Sequence, residues 1–218
     1  MSTINSHFTF NYSQPTEYRL SHDSVFLARE IYVQLQNIEL TGTKALDICA
    51  GAGVVGMDLL FHRKKAMQSV PAAFDFVEVQ EIYEQHFNTN SDRLGQSGSQ
   101  LRFLCVNYDR LQDEVYTDVY KLIVCNPPYF FPEQGKLSPS HFKNRCKFFL
   151  DSDLQNLMKS IANCLHPEGT CFMTLKELAQ HGLHTLAMAR EFSKDKLLIE
   201  NIGEIRGTCF LRITKETK

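Results

Sequence analysis

Apolar and polar positions along the chain group into blocks whose lengths and spacings are those of helices and strands. Helical spacing covers residues 24–36, 54–63, 80–94, 153–165 and a stretch that ends near residue 192. Short apolar runs predict seven strands, at residues 44–49, 74–79, 101–106, 120–125, 170–175, 197–202 and 204–213. Residues 166–169 are predicted to form a turn before the fifth strand, and Gly203 is predicted to separate the last two strands.

The order of these elements predicts an α/β domain with a parallel sheet, because strands and helices alternate through most of the chain. The last two strands are too close together for a parallel crossover, which needs about a dozen residues. One of them must therefore run antiparallel to its neighbour. Residues 1–22 are predicted to form an N-terminal arm, and residues 23–218 to form the single domain.

Composition limits the classes of protein to be considered. A chain of 218 residues with 43% hydrophobic content fits one globular domain. No apolar run is long enough to cross a bilayer, and residues 1–6 lack the basic start and apolar core of a signal peptide. The net charge of −2 gives no general attraction to nucleic acid, so such a partner would need a local basic patch.

Seven cysteines are present, an odd number without metal-ligand spacing. They are interpreted as small core residues in a reducing, cytoplasmic environment. Those in apolar stretches include Cys105, Cys125, Cys171 and Cys209. His181 and His184 are expected on one helix, but no third ligand is evident, so no metal site is predicted. Residues 63–65 are interpreted as a basic cluster at the end of a helix.

Two loops carry the candidate chemistry, and each follows an apolar run. Residues 47–53 read Asp-Ile-Cys-Ala-Gly-Ala-Gly after the first strand, and residues 126–129 read Asn-Pro-Pro-Tyr after the fourth. The carboxyl ends of parallel strands share one edge of a sheet, where open α/β proteins bind their ligands. We therefore expect a cofactor at one loop and a substrate at the other.

Together these loops resemble those of the class I methyltransferases that use S-adenosylmethionine. The Asn-Pro-Pro-Tyr motif is typical of members that methylate a planar nitrogen. The resemblance covers residues 18–213 and is greatest with the small bacterial tRNA adenine-N6 methyltransferases, which open with an arginine-containing segment similar to residues 18–24. Their motif is often followed by Phe, as Phe130 follows here. The resemblance implies a Rossmann-like fold with a seven-stranded, mostly parallel sheet, an antiparallel last strand and helices on both faces.

The resemblance also implies S-adenosylmethionine as the cofactor. Glycines let the loop backbone approach a ligand closely, and N–H groups at the helix start can bind its carboxylate. Glu78 would accept both ribose hydroxyls, while either Asn107 or Asp109 would bind the adenine amine. Arg19 would close over the methionine end, with a surface salt bridge as its alternative role. The predicted cofactor residues are Arg19, Ser21, Asp47, Cys49, Ala50, Gly51, Gly53, Glu78, Val79, Asn107 and Asp109.

The same glycines match a dinucleotide-binding pattern, which makes NAD the competing cofactor. Residues 51–56 read G-x-G-x-x-G between a strand and a helix, and Glu78 lies 22 positions beyond Gly56. The acid at the end of the first strand, the antiparallel final pair and the Asn-Pro-Pro-Tyr loop, which has no role in hydride transfer, disfavour NAD. One departure from the methyltransferase pattern is Cys49, which stands where the family usually has its first glycine.

Residues Asn126, Pro127 and Tyr129 are predicted to act in catalysis. An exocyclic amine on a base is a poor nucleophile, because its lone pair is delocalised into the ring. The side-chain oxygen of Asn126 and the main-chain oxygen of Pro127 can accept its two N–H groups and favour the positive charge that grows on nitrogen. Tyr129 offers a stacking face, and the prolines stiffen the loop. The alternative is a plain proline turn, which the position at a strand end disfavours.

The segment from residue 130 to residue 150 combines basic and aromatic residues, as suits an RNA backbone with a splayed base. Its alternative role is a solvated lid whose phenylalanines pack on the body of the domain. The residues predicted to contact substrate are Pro128, Phe130, Lys136, Lys143 and Arg145.

The predicted function is methylation of adenine N6 in RNA, most simply tRNA. N5-glutamine protein methyltransferases, guanine-N2 rRNA methyltransferases and adenine-N6 DNA methyltransferases usually carry an additional domain for which this chain has little room. A catalytically silent module that binds S-adenosylmethionine or RNA is the alternative outside enzymes, and the intact Asn-Pro-Pro-Tyr motif disfavours it.

Overall fold

A seven-stranded sheet forms the centre of the computed structural model, which describes residues 9, 11–19 and 22–216. The strands are β1 Lys44–Ile48, β2 Ala73–Glu78, β3 Gln100–Cys105, β4 Tyr120–Cys125, β5 Leu165–Leu175, β6 Leu197–Ile205 and β7 Thr208–Lys215. Their order across the sheet is β3-β2-β1-β4-β5-β7-β6. Strands β1 to β5 are parallel, and β7 lies antiparallel between β5 and β6. The predicted antiparallel strand is thereby confirmed.

Helices cover both faces of the sheet. They are α1 His22–Gln34, α2 Val54–Lys65, α3 Ile82–Leu94, α4 His141–Lys147, α5 Leu154–Cys164 and α6 Thr185–Phe192. Side chains of one strand alternate between two cores: Ala45 packs in the cluster that contains α1 and α2, whereas Leu46 packs in the cluster that contains α5 and α6. The predicted α/β architecture is therefore confirmed, including its two helical layers.

The predicted turn at residues 166–169 is wrong. β5 already begins at Leu165 and continues through this segment. The pairing with β4 shifts here, because Tyr120 pairs with Leu165 whereas Leu122 pairs with Thr170. Residues 166–169 of β5 therefore lie opposite the single residue Lys121 of β4 and form a bulge. This bulge contains the proline and the glycine that predicted a turn.

The final hairpin also differs from the prediction. Gly203 lies within β6, where the pairing with β7 shifts, and the turn is formed by Arg206 and Gly207. Both turn residues have positive φ, 51° and 74°. A residue pair with two positive φ values suits the tight connection of antiparallel strands, so the turn follows the pairing geometry and not the more obvious glycine.

Two expectations for individual side chains are also wrong. His181 belongs to a short 3-10 turn and His184 precedes α6, so they do not share a helix. Cys105 is exposed because β3 is an edge strand, whereas Cys125 is buried in the core. Residues 63–65 do lie in the last turn of α2, as predicted, but only 1% of Arg63 is exposed, whereas Lys64 and Lys65 are exposed.

Arg63 links the ends of α1 and α2 from inside the protein. Its guanidinium donates hydrogen bonds to the carbonyl oxygens of Leu35, Ile38 and Ser69, at 2.7, 2.8 and 2.6 Å. These carbonyls end or follow helices, where backbone acceptors lack intrahelical donors. The buried charge is therefore compensated by backbone oxygens and holds the α1–α2 layer together.

The N-terminal segment, defined here as residues 9 and 11–19, packs against α2 and α3. The hydroxyl of Tyr12 donates to the buried carboxylate of Asp58 at 2.7 Å. The side chain of Asn90 accepts from the N–H of Ser13 and donates to the carbonyl of Ala52. The segment is thus fastened both to the helices and to the loop after β1.

Candidate active site

The cavity that contains most predicted site residues has a volume of about 280 Å³ and lies at the carboxyl ends of β1, β2 and β4. The chain proceeds from β1 toward β2 and β3 on one side, and returns to β4 on the other side of β1. The two loops that follow β1 and β4 diverge at such a switch point, which opens a crevice for ligands. The predicted residues on its walls are Cys49, Ala50, Gly51, Glu78, Val79, Asn107, Asn126, Pro127, Pro128, Tyr129, Phe130 and Arg145.

The loop after β1 turns through left-handed backbone conformations. Cys49, at the position of the family's first glycine, has a φ of 59°, and Gly53 has a φ of 79°. The side chain at position 49 is therefore held in a conformation that disfavours any residue other than glycine. Gly56 has a different role, since a Cβ there would lie 2.6 Å from the ring of Phe76. Its absence lets α2 lie directly on β2.

Two acidic residues organise this loop from different sides. Asp47 is fully buried behind it and does not line the cavity, and its carboxylate accepts from the N–H of Gly56 at 2.9 Å. Glu78 lines the cavity, and its two oxygens accept from the N–H groups of Gly51 and Gln80, both at 2.9 Å. Burial raises the pKa of both carboxyl groups. Glu78 retains acceptor capacity toward the cavity, because each carboxylate oxygen has two lone-pair sites.

The two candidates for the residue after β3 separate in the structure. Asn107 is on the cavity wall, while its side chain accepts from the N–H of Asp109 and donates to the carbonyl of Asp151. Asp109 lies off the wall and accepts from the hydroxyl of Ser152 at 2.6 Å. The amide of Asn107 thus connects the end of β3 to the chain segment that precedes α5.

The loop after β4 holds Asn126 in a fixed orientation. Its side-chain nitrogen donates to Ser24 at 3.0 Å, and its side-chain oxygen accepts from Thr174 at 2.7 Å. The hydroxyl of Tyr129 lies 3.0 Å from the same oxygen. Residues from α1 and from the end of β5 therefore converge on the amide that follows β4.

The lid segment, defined here as residues 130–152, contributes Phe130 and residues 145–152 to the cavity wall. The N–H of Phe149 donates to the carbonyl of Phe130, and the rings of Phe130 and Phe148 lie 5.8 Å apart. Within α4, Cys146 lies 3.3 Å from the hydroxyl of Tyr83 and also contacts the amide of Gln80. Phe131 and Phe149 pack in the core that contains α5, and Phe142 packs on Tyr83. Most phenylalanines of this segment thus pack on the domain, as its alternative role expects.

The basic residues predicted to contact substrate lie in different surroundings. Arg145 lines the cavity and forms an ion pair with Asp151 at 2.8 Å, and this partner raises the pKa of its guanidinium. Lys136 and Lys143 are not on the cavity wall; Lys136 is exposed and Lys143 half-buried. The two cations outside the cavity are therefore available to a larger partner, whereas Arg145 is engaged within the site.

Two further predicted cofactor residues among those described are not on the cavity wall, in addition to Asp47 and Asp109. Arg19 is exposed and Gly53 is buried behind the loop, so neither faces the cavity. Ser21 lies outside the described residues. Gln14 and Tyr18 of the N-terminal segment do line the cavity. Tyr18 lies beneath the ammonium group of Lys147, and burial raises the pKa of its phenol to about 12.

Sequence reasoning did not identify the contributions of Ser24, Gln80, Tyr83, Cys146 and Thr174. Their positions depend on which elements meet above the sheet, and no local motif marks Thr174 or Cys146. Ser24 lies in the arginine-containing segment that carried part of the family resemblance, which is the one signal that pointed to it. Within the described part of the chain, no group of three metal-binding side chains is found and no helix is long and apolar enough to cross a membrane.

Comparison with known proteins places this fold among the methyltransferases. A ribosomal protein L11 methylase from Lactobacillus delbrueckii subsp. bulgaricus matches with a TM-score of 0.56 at 13% identity, over 90% of this chain and 81% of that one. For TrmN from Thermus thermophilus the TM-score is 0.58 at 13% identity, over 88% of this chain and 49% of that one. For a SAM-dependent methyltransferase from Agrobacterium tumefaciens the TM-score is 0.57 at 12% identity, over 90% of this chain and 63% of that one.

At the level of sequence, no protein-family model and no curated protein matches this chain. The structural similarity therefore concerns the arrangement of the chain in space. TM-scores of 0.56 to 0.58 over 88–90% of this chain show that most of its strands and helices are arranged as in these neighbours. The chain thus has the Rossmann-like fold of the class I methyltransferases.

Proposed function

We propose that this protein transfers a methyl group from S-adenosylmethionine to the exocyclic N6 of an adenine in RNA, with tRNA as the substrate. The observation that carries the proposal is that Glu78 and Asn126 line one cavity at the switch point of the sheet. A carboxylate suited to a ribose and an amide suited to a planar amine then face the same space. The fold of the neighbours supports the reaction class, and the Asn-Pro-Pro-Tyr motif supports nitrogen as the acceptor.

The residues present fit S-adenosylmethionine. Glu78 has oxygens that can accept the two ribose hydroxyls while they keep their backbone donors Gly51 and Gln80. A Cβ at Gly51 would meet only the ring of Tyr83, at 3.7 Å, so the loop backbone is open toward the cavity. Asn107 lines the same cavity, and we propose that it holds the adenine end. When bound, S-adenosylmethionine supplies an electrophilic methyl carbon.

The Asn-Pro-Pro-Tyr loop after β4 would orient the acceptor nitrogen and stabilise the positive charge that develops on it. Asn126 and the carbonyl of Pro127 accept N–H bonds from the amine, and these bonds strengthen as the nitrogen becomes positive. The ring of Tyr129 lies on the cavity wall, where it can stack on a flat base. No general base is required, because the proton is lost from a product that is already cationic.

The choice of RNA rests on the surface around the site. Lys136 and Lys143 lie on the lid segment outside the cavity, where they can contact phosphates on either side of an extruded base. An unpaired adenine in a tRNA loop enters such a pocket at a low unstacking cost. The names of the structural neighbours do not choose the substrate, since one of them is a ribosomal protein methylase.

The test is transfer of label from S-adenosylmethionine by the purified protein to tRNA, rRNA and a protein extract in separate reactions. Mass spectrometry of the digested products should find the label as N6-methyladenosine in tRNA. Label in N2-methylguanosine or in a protein glutamine would overturn the substrate. Tight binding of NAD in place of S-adenosylmethionine would overturn the reaction class.

A further inference from the structure

The acceptor oxygen of Asn126 is already fully used by the protein. A side-chain amide oxygen has two lone pairs. The hydroxyl of Thr174 donates to one at 2.7 Å, and that of Tyr129 donates to the other at 3.0 Å. An incoming amine that is to donate to Asn126 must therefore displace one of these two hydroxyls.

Tyr129 is the partner that has an alternative. Its phenol carries one proton, yet it lies within hydrogen-bond distance of two acceptors, Asn126 and the carboxylate of Asp23 at 3.3 Å. Only one of these bonds can be made at a time. Asp23 is charged and therefore the stronger acceptor, but in this arrangement it lies at the longer distance.

We propose that Asp23 is a positioning residue that receives the phenol of Tyr129 when the substrate nitrogen binds to Asn126. The hydroxyl moves from one acceptor to the other, which frees the amide oxygen without leaving the phenol unpaired. The stacking face of Tyr129 stays in the cavity during this exchange. This inference rests on the proposed function only in that the substrate offers an N–H group to Asn126.

The remainder of the structure holds Asp23 where this exchange requires it. Asp23 lies in the first turn of α1, next to Ser24, which accepts from the nitrogen of Asn126. Its other carboxylate oxygen faces the guanidinium of Arg206 at 3.5 Å, in the turn between β6 and β7. Two elements that are distant in sequence from the Asn-Pro-Pro-Tyr loop thus place a carboxylate beside it.

A double-mutant cycle in the full-length protein tests the exchange. Asp23→Ala should lower kcat by about tenfold and leave the KM for S-adenosylmethionine unchanged, because the phenol then keeps Asn126 occupied. In the Tyr129→Phe background no hydroxyl competes, so the same substitution should change kcat by less than about twofold. Asp23→Asn should restore most of the rate, because its amide oxygen still accepts from the phenol. An equal loss in both backgrounds would overturn the inference.

A second measurement does not depend on methyl transfer. In protein labelled at tyrosine Cζ, the Tyr129 resonance is the one absent from Tyr129→Phe. It should move when adenosine is added with S-adenosylhomocysteine, and it should not move in Asp23→Ala. A resonance unmoved by adenosine in the wild type, or moved equally in both proteins, would overturn the exchange. Absence of methyl transfer to RNA by the wild type would instead overturn the proposed function. The response of the Tyr129 resonance to adenosine would still test the exchange between Asn126 and Asp23.

Discussion

The backbone N–H of Gly56 donates to Oδ2 of Asp47 at 2.9 Å, and this bond fastens the first turn of α2 to the end of β1. The other oxygen of Asp47 has no hydrogen-bond partner among the described residues, and the side chain is fully buried. Burial raises the pKa of Asp47 to about 8, so the carboxyl group is protonated at neutral pH. Asp47 thus supports the loop after β1 from behind as a neutral group.

We predict that Asp47 makes the free energy of unfolding fall as pH rises. Between the unfolded-state pKa near 3.9 and the folded-state pKa, the folded protein binds a proton that the unfolded chain has lost. The melting temperature should therefore fall more steeply toward about pH 8 in the wild type than in Asp47→Asn, which cannot ionise. Identical slopes for the two proteins would show that Asp47 is ionised throughout.

Glu78→Gln should weaken binding of S-adenosylmethionine by about tenfold or more, since a hydrogen bond to a charged group contributes about 1.5–3 kcal/mol. Isothermal titration calorimetry would measure it. When the pH is lowered, protonation of Glu78 should weaken binding by the wild type. This loss should begin at a higher pH than for an ordinary glutamate, because burial raises the pKa of Glu78. Glu81→Gln is the matched control, as this neighbouring glutamate is exposed and does not line the cavity. Unchanged affinity in Glu78→Gln would remove Glu78 from the cofactor site.

Asn126→Ala should lower the rate of methyl transfer by about 100-fold or more, the scale seen when one transition-state hydrogen bond is removed. Affinity for S-adenosylmethionine should be nearly unchanged, because Asn126 faces the acceptor. Single-turnover kinetics with labelled cofactor would separate the two effects. Asn88→Ala, at an exposed position of α3, serves as the control. Near-normal turnover in Asn126→Ala would reduce the Asn-Pro-Pro-Tyr loop to a structural turn.

Lys136→Glu combined with Lys143→Glu should raise the KM for tRNA and make binding less sensitive to salt, since each lost phosphate contact lowers the slope by about one. The KM for S-adenosylmethionine should not change, because neither lysine lines the cavity. Lys159→Glu makes the same charge change on the exposed side of α5. It is the control for Lys136→Glu and Lys143→Glu when each is measured alone. If the salt dependence of tRNA binding is the same in all variants, RNA binds elsewhere.

Arg63→Ala should lower the free energy of unfolding by about 3 kcal/mol, because three backbone carbonyls lose a charged donor, one of them in a fully buried hydrogen bond. Lys65→Ala, at the exposed last residue of α2, should change the free energy of unfolding by less than about 0.5 kcal/mol. Urea denaturation of both variants gives the comparison. Similar stabilities for the two variants would mean that water replaces the guanidinium.

The sequence predicted most of the architecture because periodicity and chain length constrain it strongly. The strand at Tyr120–Cys125 has the predicted bounds, and the short link after β6 required an antiparallel partner. The bulge in β5 and the turn at Arg206 could not be predicted, because both depend on pairing with a neighbouring strand. The burial of Arg63 could not be predicted for a similar reason, because its acceptors belong to the segment after α1 and to the loop after α2.

The same distinction applies to the candidate site, where residues with a local sequence signal could be predicted and residues placed by the topology could not. Loop residues such as Gly51 and Glu78 carry local signals, so the sequence could place them at the end of a strand. Ser24 and Thr174, which hold Asn126, come from elements 102 and 48 residues away. Such contacts follow from the topology of the sheet, and a single sequence contains no pattern that marks them.

The reversed direction of β7 separates the site into two halves that can diverge independently. Because β7 starts at the edge where β5 ends, its turn with β6 brings Arg206 close to Asp23, on the acceptor side of β4. The loops after β1 and β2, which carry the proposed cofactor residues, lie on the opposite side of β4. Under the proposed function, substitutions or insertions in this two-residue turn would change the choice of methyl acceptor and leave the loops after β1 and β2 untouched.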